Sequence, residues 1–105
     1  MEQLKLNPND FRVTYAGTFH YGDGTTEDYI FVEVYPGYTC DLFIEWDDQG
    51  PYALPCMCSD GIGYIYSDDM TNATSAIVSD EDIWAVEDFA TDYYLNHPDK
   101  FDSAE

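Results

Sequence analysis

Basic residues are almost absent from this sequence. Lys5, Arg12 and Lys100 are its only Lys and Arg residues, against 22 acidic ones, and the formal net charge is -19. Nucleic acids are bound through cations that neutralise their phosphates, so this balance excludes direct nucleic-acid binding. The same negative surface repels phosphorylated substrates. A partner that is recognised by charge must therefore be basic.

Long apolar runs are also missing. No segment approaches the ~20 apolar residues of a membrane span, and the first residues, MEQLKLNPND, lack the basic and apolar regions of a secretory signal. The three cysteines, Cys40, Cys56 and Cys58, are an odd number, which favours reduced thiols over a disulfide framework. We therefore expect a cytoplasmic protein without a membrane partner; if a phage encodes it, the cytoplasm is that of the host cell.

The apolar content is just sufficient for one folded domain. Leu, Ile, Val and Phe account for 22 of the 105 residues, close to the ~20% below which highly charged chains are usually disordered. Ten Tyr and two Trp add large apolar surfaces to bury. We expect a single domain over residues 1–105.

Three segments between residues 10 and 46 have the two-residue period of β-strands. In residues 10–21 the alternation predicts two faces, one with Phe11, Val13, Tyr15, Phe19 and Tyr21, the other with Arg12, Thr14, Thr18 and His20. In residues 27–35, the residues that share one side are Ile30, Val32 and Val34. In residues 39–46 the inward set is Cys40, Leu42, Ile44 and Trp46, and the outward set is Asp41, Phe43 and Glu45. The intervening GDGT and Pro36-Gly37 turns predict an antiparallel meander.

The middle of the chain has a weaker pattern. Gly and Pro interrupt residues 47–78, and the apolar pieces there are short. One more strand around Ile62 to Tyr66 fits this pattern, and so does a short helical turn.

The segment from Ser79 to Pro98 predicts a helix. Ser79 is a suitable N-cap, and acids follow it where the helix dipole favours them. The apolar residues recur at three- and four-residue spacing, as Ile83, Val86, Phe89, Ala90, Tyr93 and Tyr94. Pro98 ends the helix. The predicted fold is α+β, with an antiparallel sheet of three to four strands in a meander and a C-terminal helix packed on one face.

No motif for catalysis or metal binding is convincing. Cys56-Met57-Cys58 is a C-x-C spacing without the second pair of a zinc ribbon. The Asp-rich turns lack the alternating ligands and closing Glu of a calcium loop, and the chain has neither a nucleophile elbow nor a phosphate loop. Paired carboxylates arise by chance in so acidic a chain. We therefore expect no enzyme activity, no cofactor and no metal.

The negative charge is larger than solubility requires. A small domain stays soluble with a net charge of only about 2 to 8, so we expect the additional repulsion between carboxylates to be compensated by a function of the charged surface. A carboxylate surface can imitate DNA phosphates and occupy the basic groove of a nucleic-acid-binding protein or complex. The acids predicted to bind such a partner lie on the helix and at loops: Asp80, Glu81, Asp82, Glu87, Asp88, Asp92, Asp47, Asp48, Asp68 and Asp69.

The outer side of the predicted sheet mixes acids with aromatic residues. Tyr29 and Phe31 lie there beside Glu33 and Asp41, and aromatic residues supply anchoring area in protein interfaces. Tyr29 and Phe31 are therefore predicted partner-binding residues. Cover by another part of the chain, such as the middle segment, would explain the same aromatic face.

In size, acidity and predicted fold the chain resembles the small phage-encoded inhibitors of bacterial defence, namely anti-CRISPR proteins and DNA-mimic anti-restriction proteins. The segments that carry the resemblance are SDEDIWAVEDFATD, EWDDQG and YSDDM. The resemblance implies a target such as a CRISPR effector complex, whose nucleic-acid channel is basic. It also implies steric and electrostatic inhibition without catalysis.

The acidity also fits two roles outside host defence. One is a non-enzymatic adaptor for a basic protein, and the second is a domain adapted to strong salt, as in halophiles. The sequence is compatible with a monomer or with a weak homodimer, since charge repulsion opposes association unless the interface is apolar.

Overall fold

The computed structural model of the chain describes residues 3–57, 63–67 and 75–102. Within these ranges, six strands form one antiparallel sheet, and a single α-helix follows them. The strands are β1 Arg12–His20, β2 Thr26–Tyr35, β3 Tyr38–Asp47, β4 Gly50–Pro55, β5 Ile65–Ser67 and β6 Ser75–Ala76. The helix α1 is Asp80–Asn96, and short 3-10 turns occupy Pro8–Asp10 and Pro98–Lys100. The predicted α+β class is confirmed, although the sheet has more strands than expected.

The first three strands form the predicted meander. The strand order is β1-β2-β3-β5-β6, and β4 pairs with the same edge of β3 as β5 does. The turn between β2 and β3 consists of Pro36 and Gly37, and Gly37 has a φ of 84°, a conformation that glycine adopts without strain. This turn brings Tyr35 opposite Tyr38 and fixes the register of the two strands.

The core lies between the inner face of the sheet and helix α1. The predicted inward residues of β2 are almost fully buried, since Ile30, Val32 and Val34 expose 1% or less. The helix residues in this core are Ile83, Val86, Ala90 and Tyr94. Other side chains of the sheet alternate onto the opposite side, which we call the outer face and which includes Tyr29 and Phe31 of β2.

The helix begins and ends as predicted. Ser79 is the N-cap, and its Oγ accepts a hydrogen bond of 3.2 Å from the Asp82 backbone N–H. This bond satisfies one of the donors that a helix start leaves unpaired. Asn96 is the last helical residue, two before Pro98. The buried face follows the predicted apolar stripe, so the helix packs against the sheet along its whole length.

The predicted alternation of β1 is wrong beyond Val13. A β-bulge between Val13 and Tyr15 shifts the register against β2, so that Val13 pairs with Val32 but Tyr15 pairs with Phe31. The extra residue reverses which side chains point inward. Tyr15 and Phe19 therefore lie on the outer face, while Val13 stays against the core.

Two more expectations, for Trp46 and for the middle segment, need correction. Trp46 has the inward parity of β3 but is 63% exposed, because it lies at the end of the strand where its ring contacts only the edge of the core at Tyr94. The middle segment, for which a further strand or a short helical turn was predicted as alternatives, contains β4 at residues 50–55 and no helix in its described part. The predicted strand near Tyr66 is β5; Ile62 lies outside the described residues.

Among the described residues no helix is long and apolar enough to cross a membrane.

Candidate partner-binding surfaces

Helix α1 exposes a row of carboxylates on the side that faces away from the sheet. Glu81, Asp88 and Asp92 are exposed and lie opposite the buried residues of the helix, whereas the exposed Asp80 flanks them, on the side near Tyr64 and Ile83. With ~1.5 Å of rise per residue, Asp88 and Asp92 lie ~6 Å apart along the axis, and the row extends over ~17 Å. We call Glu81, Asp88 and Asp92 the helix stripe.

The helix stripe has no cationic partner among the described residues. The ion pairs found there join Arg12 to Glu33 at 3.0 Å and His20 to Asp102 at 2.8 Å, and neither involves the helix. Carboxylates without a cation nearby keep their full field in front of the surface. The stripe therefore attracts any basic surface that approaches this side of the molecule.

An exposed tryptophan lies within the helix stripe and was not among the predicted partner-binding residues. Trp84 is 59% exposed, although tryptophan is usually largely buried. Its spacing could have revealed this position, because Trp84 follows Glu81 by three residues and precedes Asp88 by four, which places all three on one side of a helix. Exposed Trp residues are frequent anchors of protein interfaces.

Asp82 and Glu87, also predicted to bind the partner, are less exposed than the helix stripe. Both are half-buried. Asp82 Oδ2 accepts a hydrogen bond of 3.0 Å from the Leu6 backbone N–H, and so fastens the N-terminal segment to the helix start. Burial, and then the neighbouring Asp88, raise the pKa of Glu87 above its ordinary value. These two acids add less to the exposed charge than the helix stripe does.

Two loop acids extend the negative surface at the turn between β3 and β4. Asp47 and Asp48 are both exposed, and Asp47 Oδ1 accepts a hydrogen bond of 2.7 Å from the Gln49 backbone N–H, which stabilises the turn. The adjacent Trp46 contacts Tyr94 of α1, so this turn lies beside the C-terminal half of the helix. Asp68 and Asp69, the remaining predicted loop acids, lie outside the described residues.

Tyr29 and Phe31 belong to a group of four aromatic rings on the outer face. Tyr15 contacts Phe31 at 5.0 Å between ring centroids, Phe19 contacts Tyr29 at 4.8 Å, and Tyr15 stacks on Phe19 at 5.9 Å. Tyr29 and Phe31 meet edge to face at 6.3 Å. We call these four residues the aromatic cluster. The sequence predicted the two members on β2. It did not predict Tyr15 and Phe19, because the β-bulge changes the face on which their side chains lie and the alternation of β1 does not reveal it.

The helix stripe and the aromatic cluster lie on opposite sides of the molecule. Residues of β2 alternate between the two faces, with Tyr29 and Phe31 on the outer face and Ile30 against the helix. The helix covers the inner face, and its stripe points further away from the sheet. A single flat partner surface therefore cannot contact the helix stripe and the aromatic cluster at the same time.

The described thiols and histidines form no metal site. Cys40 is buried and Cys56 half-buried, while Cys58 lies outside the described residues. Burial, with the nearby carboxylates of Asp41 and Glu27, raises the pKa of Cys56 to about 11. Within the described ranges no three His, Cys, Asp or Glu side chains converge closely enough to hold a metal ion.

No protein-family model matches the chain, and comparisons with curated proteins and with solved structures find no significant match. The function must therefore be inferred from the chain's own surfaces.

Proposed function

We propose that this protein is a stoichiometric inhibitor of a nucleic-acid-binding defence enzyme, either a CRISPR effector complex or a restriction system. It acts in the host cytoplasm by placing carboxylates in the basic groove that otherwise receives phosphates. No catalysis and no cofactor take part. The helix stripe is the observation that carries this proposal, because it presents an ordered row of charges without cationic partners among the described residues.

The spacing of the acids supports phosphate mimicry. Each strand of duplex DNA carries one charge per ~3.4 Å of axis. The helix stripe places three carboxylates over ~17 Å on a rigid helix, and Asp47 and Asp48 add two exposed charges near the C-terminal half of that helix. A row of Lys and Arg side chains that binds one DNA strand can therefore pair with several of these carboxylates at once.

The amount of charge also favours a partner. The net charge of -19 is well beyond the ~2 to 8 that suffices for solubility. Binding to a basic groove relieves this repulsion, and long-range attraction accelerates the encounter. The position of Trp84 within the stripe further supports a protein partner, since it gives the surface an apolar anchor beside its charges.

A capture experiment tests the proposal. The tagged protein is incubated with lysate of a bacterium that carries CRISPR and restriction systems, and bound proteins are identified by mass spectrometry. We expect a nuclease complex that duplex DNA displaces and that leaves the resin as salt rises, because both compete for the same charges.

Two results would contradict the proposal. Capture that neither duplex DNA nor salt reverses would show that the interface does not imitate phosphates. Failure to capture any nucleic-acid-binding enzyme at low salt, with a folded protein confirmed by near-UV circular dichroism, would favour adaptation to salt or a basic partner of a different kind.

A further inference from the structure

The outer face carries its own arrangement of acids and rings, independent of the helix stripe. Along β2 the outward residues are Glu27, Tyr29, Phe31 and Glu33, so that a carboxylate stands at each end of two aromatic rings. The neighbouring strand β3 places Phe43 opposite Tyr29 and Asp41 opposite Phe31. The outer face is therefore aromatic at its centre and acidic around it.

A glycine at the centre of this face lets the rings come together. Gly17 lies opposite Tyr29 and between Tyr15 and Phe19 on β1. A Cβ atom at Gly17 would lie 2.8 Å from the Tyr15 hydroxyl oxygen, so the Tyr15 ring would have to move from this position. Without a side chain there, Tyr15 lies over Gly17 and stacks on Phe19. The result is a continuous π surface in which Tyr15 is 39% and Phe19 40% exposed.

Carboxylates surround the rings, and two of them already have partners within the domain. Glu33 is paired with Arg12 at one corner, Asp41 accepts a hydrogen bond of 2.9 Å from the Tyr66 hydroxyl, and Glu45 at the opposite end of β3 is exposed. Asp41 and Glu27 lie close enough to Cys56 to raise the pKa of its thiol, in addition to the effect of burial. A cation that approaches this face meets carboxylates at the rim and ring faces at the centre.

We propose that the outer face binds an arginine-bearing segment of a protein partner, with guanidinium groups stacked on the aromatic cluster and paired with the carboxylates around it. Arginine fits better than lysine because its planar, weakly hydrated head stacks on aromatic rings and pairs with carboxylates at the same time. A second copy of the chain fits poorly, since it brings another net charge of -19. The inference holds whether or not this partner is the enzyme proposed above.

Two peptides of equal charge separate stacking from charge alone. Nona-arginine and nona-lysine are titrated into the full chain at 0.15 M salt, and binding is measured by calorimetry. Bidentate pairing with carboxylates already favours nona-arginine to some extent, and stacking adds roughly tenfold if one or two guanidinium groups engage the rings. The critical variant is Tyr15→Leu/Phe19→Leu, which keeps apolar side chains on β1 and removes two ring faces.

The variants give distinct expected results. Tyr15→Leu/Phe19→Leu should lower the ratio of the nona-arginine affinity to the nona-lysine affinity by roughly tenfold, because only the stacking contribution is lost. The control Tyr35→Leu, which removes an exposed aromatic ring outside the aromatic cluster, should leave the ratio of the two affinities unchanged. Near-UV circular dichroism confirms that each variant is folded.

Three results would overturn the inference. The first is equal affinity of the wild type for both peptides, and the second is an unchanged ratio in Tyr15→Leu/Phe19→Leu. The third is self-association that this variant abolishes, which would assign the face to a second copy. Failure of the proposed inhibitor function would not change the ratio, so the two proposals fail separately.

Discussion

The Tyr94 hydroxyl donates a hydrogen bond of 2.9 Å to Oδ2 of Asp28, whose carboxylate is buried between helix α1 and strand β2. Thr18 of β1 donates to the second oxygen of the same carboxylate. Burial, and the hydrogen bond to Asp28, raise the pKa of Tyr94 to about 12. Tyr94 therefore keeps its proton at neutral pH, and one buried acid joins two strands to the helix.

Removal of the Tyr94 hydroxyl should destabilise the fold. Tyr94→Phe removes one of the hydrogen bonds to the buried Asp28 side chain, and loss of a partner from a buried polar group costs about 1 to 3 kcal/mol. Urea unfolding measures the difference. The matched control is Tyr93→Phe, whose hydroxyl has no hydrogen bond among the described residues and which should unfold within about 0.5 kcal/mol of the wild type. Equal stability of both variants would show that Asp28 does not depend on Tyr94.

The turn between β2 and β3 requires glycine at position 37. Gly37→Ala places a Cβ in the left-handed region, which costs about 1 to 2 kcal/mol. Gly22→Ala is the control, because Gly22 has no positive φ and nothing lies within 4 Å of its added Cβ. The control should be neutral or slightly stabilising, since alanine restricts the unfolded chain. A loss of stability in both variants would indicate that turn geometry is not the cause.

Glu87 should make the protein less stable as pH rises. Its folded pKa is raised above the ordinary value of 4.5, so the folded state holds this proton more tightly than the unfolded state. Its contribution is therefore present below about pH 4.5 and is lost as pH rises through the raised folded pKa. Glu87→Gln should increase stability at pH 7, by less than about 1 kcal/mol because the group is partly solvated, with no increase near pH 4. An increase of equal size at both pH values would exclude ionisation as its origin.

Moderate salt should stabilise the protein. The chain measures 40 × 30 × 22 Å, so at ~0.01 M ionic strength, where the Debye length is ~30 Å, most of its acids repel one another. At ~0.1 M the Debye length falls to ~10 Å, and only near neighbours still interact. The urea midpoint should therefore rise between these concentrations and change little above them. A protein that folds only in molar salt would instead indicate halophilic adaptation.

The strongly patterned elements of this fold were predictable from the sequence. Strand β2 has an uninterrupted alternation, and α1 has an N-cap, an apolar stripe and a terminating proline, so several signals agree for each element. Strand β4 was missed because Pro51 and Pro55 are unfavourable in strands. Both are tolerated here because β4 pairs on one side only, with β3. Ala53, which has the same parity as the two prolines, donates its N–H to Thr91 of the helix and not to β3, so the nitrogens on this side of β4 are not needed for pairing between strands.

The candidate surfaces were predictable in part. Helical spacing placed Asp88 and Asp92 on an exposed side, but no local signal showed that Asp82 binds Leu6 across 76 residues of sequence. The β1 bulge likewise depends on pairing with β2, and it decides that Tyr15 joins the aromatic cluster. Contacts between distant segments thus determined which predicted acids remain free and which rings are brought together.

Displacement of DNA from the captured enzyme tests charge mimicry by the helix stripe most directly. Labelled duplex bound to that enzyme is titrated with the wild type, with Asp88→Lys/Asp92→Lys and with Asp10→Lys/Asp99→Lys, which changes the net charge equally at exposed sites outside the stripe. We expect the wild type and Asp10→Lys/Asp99→Lys to displace the duplex at similar concentrations. Asp88→Lys/Asp92→Lys should need at least roughly tenfold more, since two attractions become repulsions. Displacement by Asp88→Lys/Asp92→Lys at the wild-type concentration would contradict charge mimicry by the stripe.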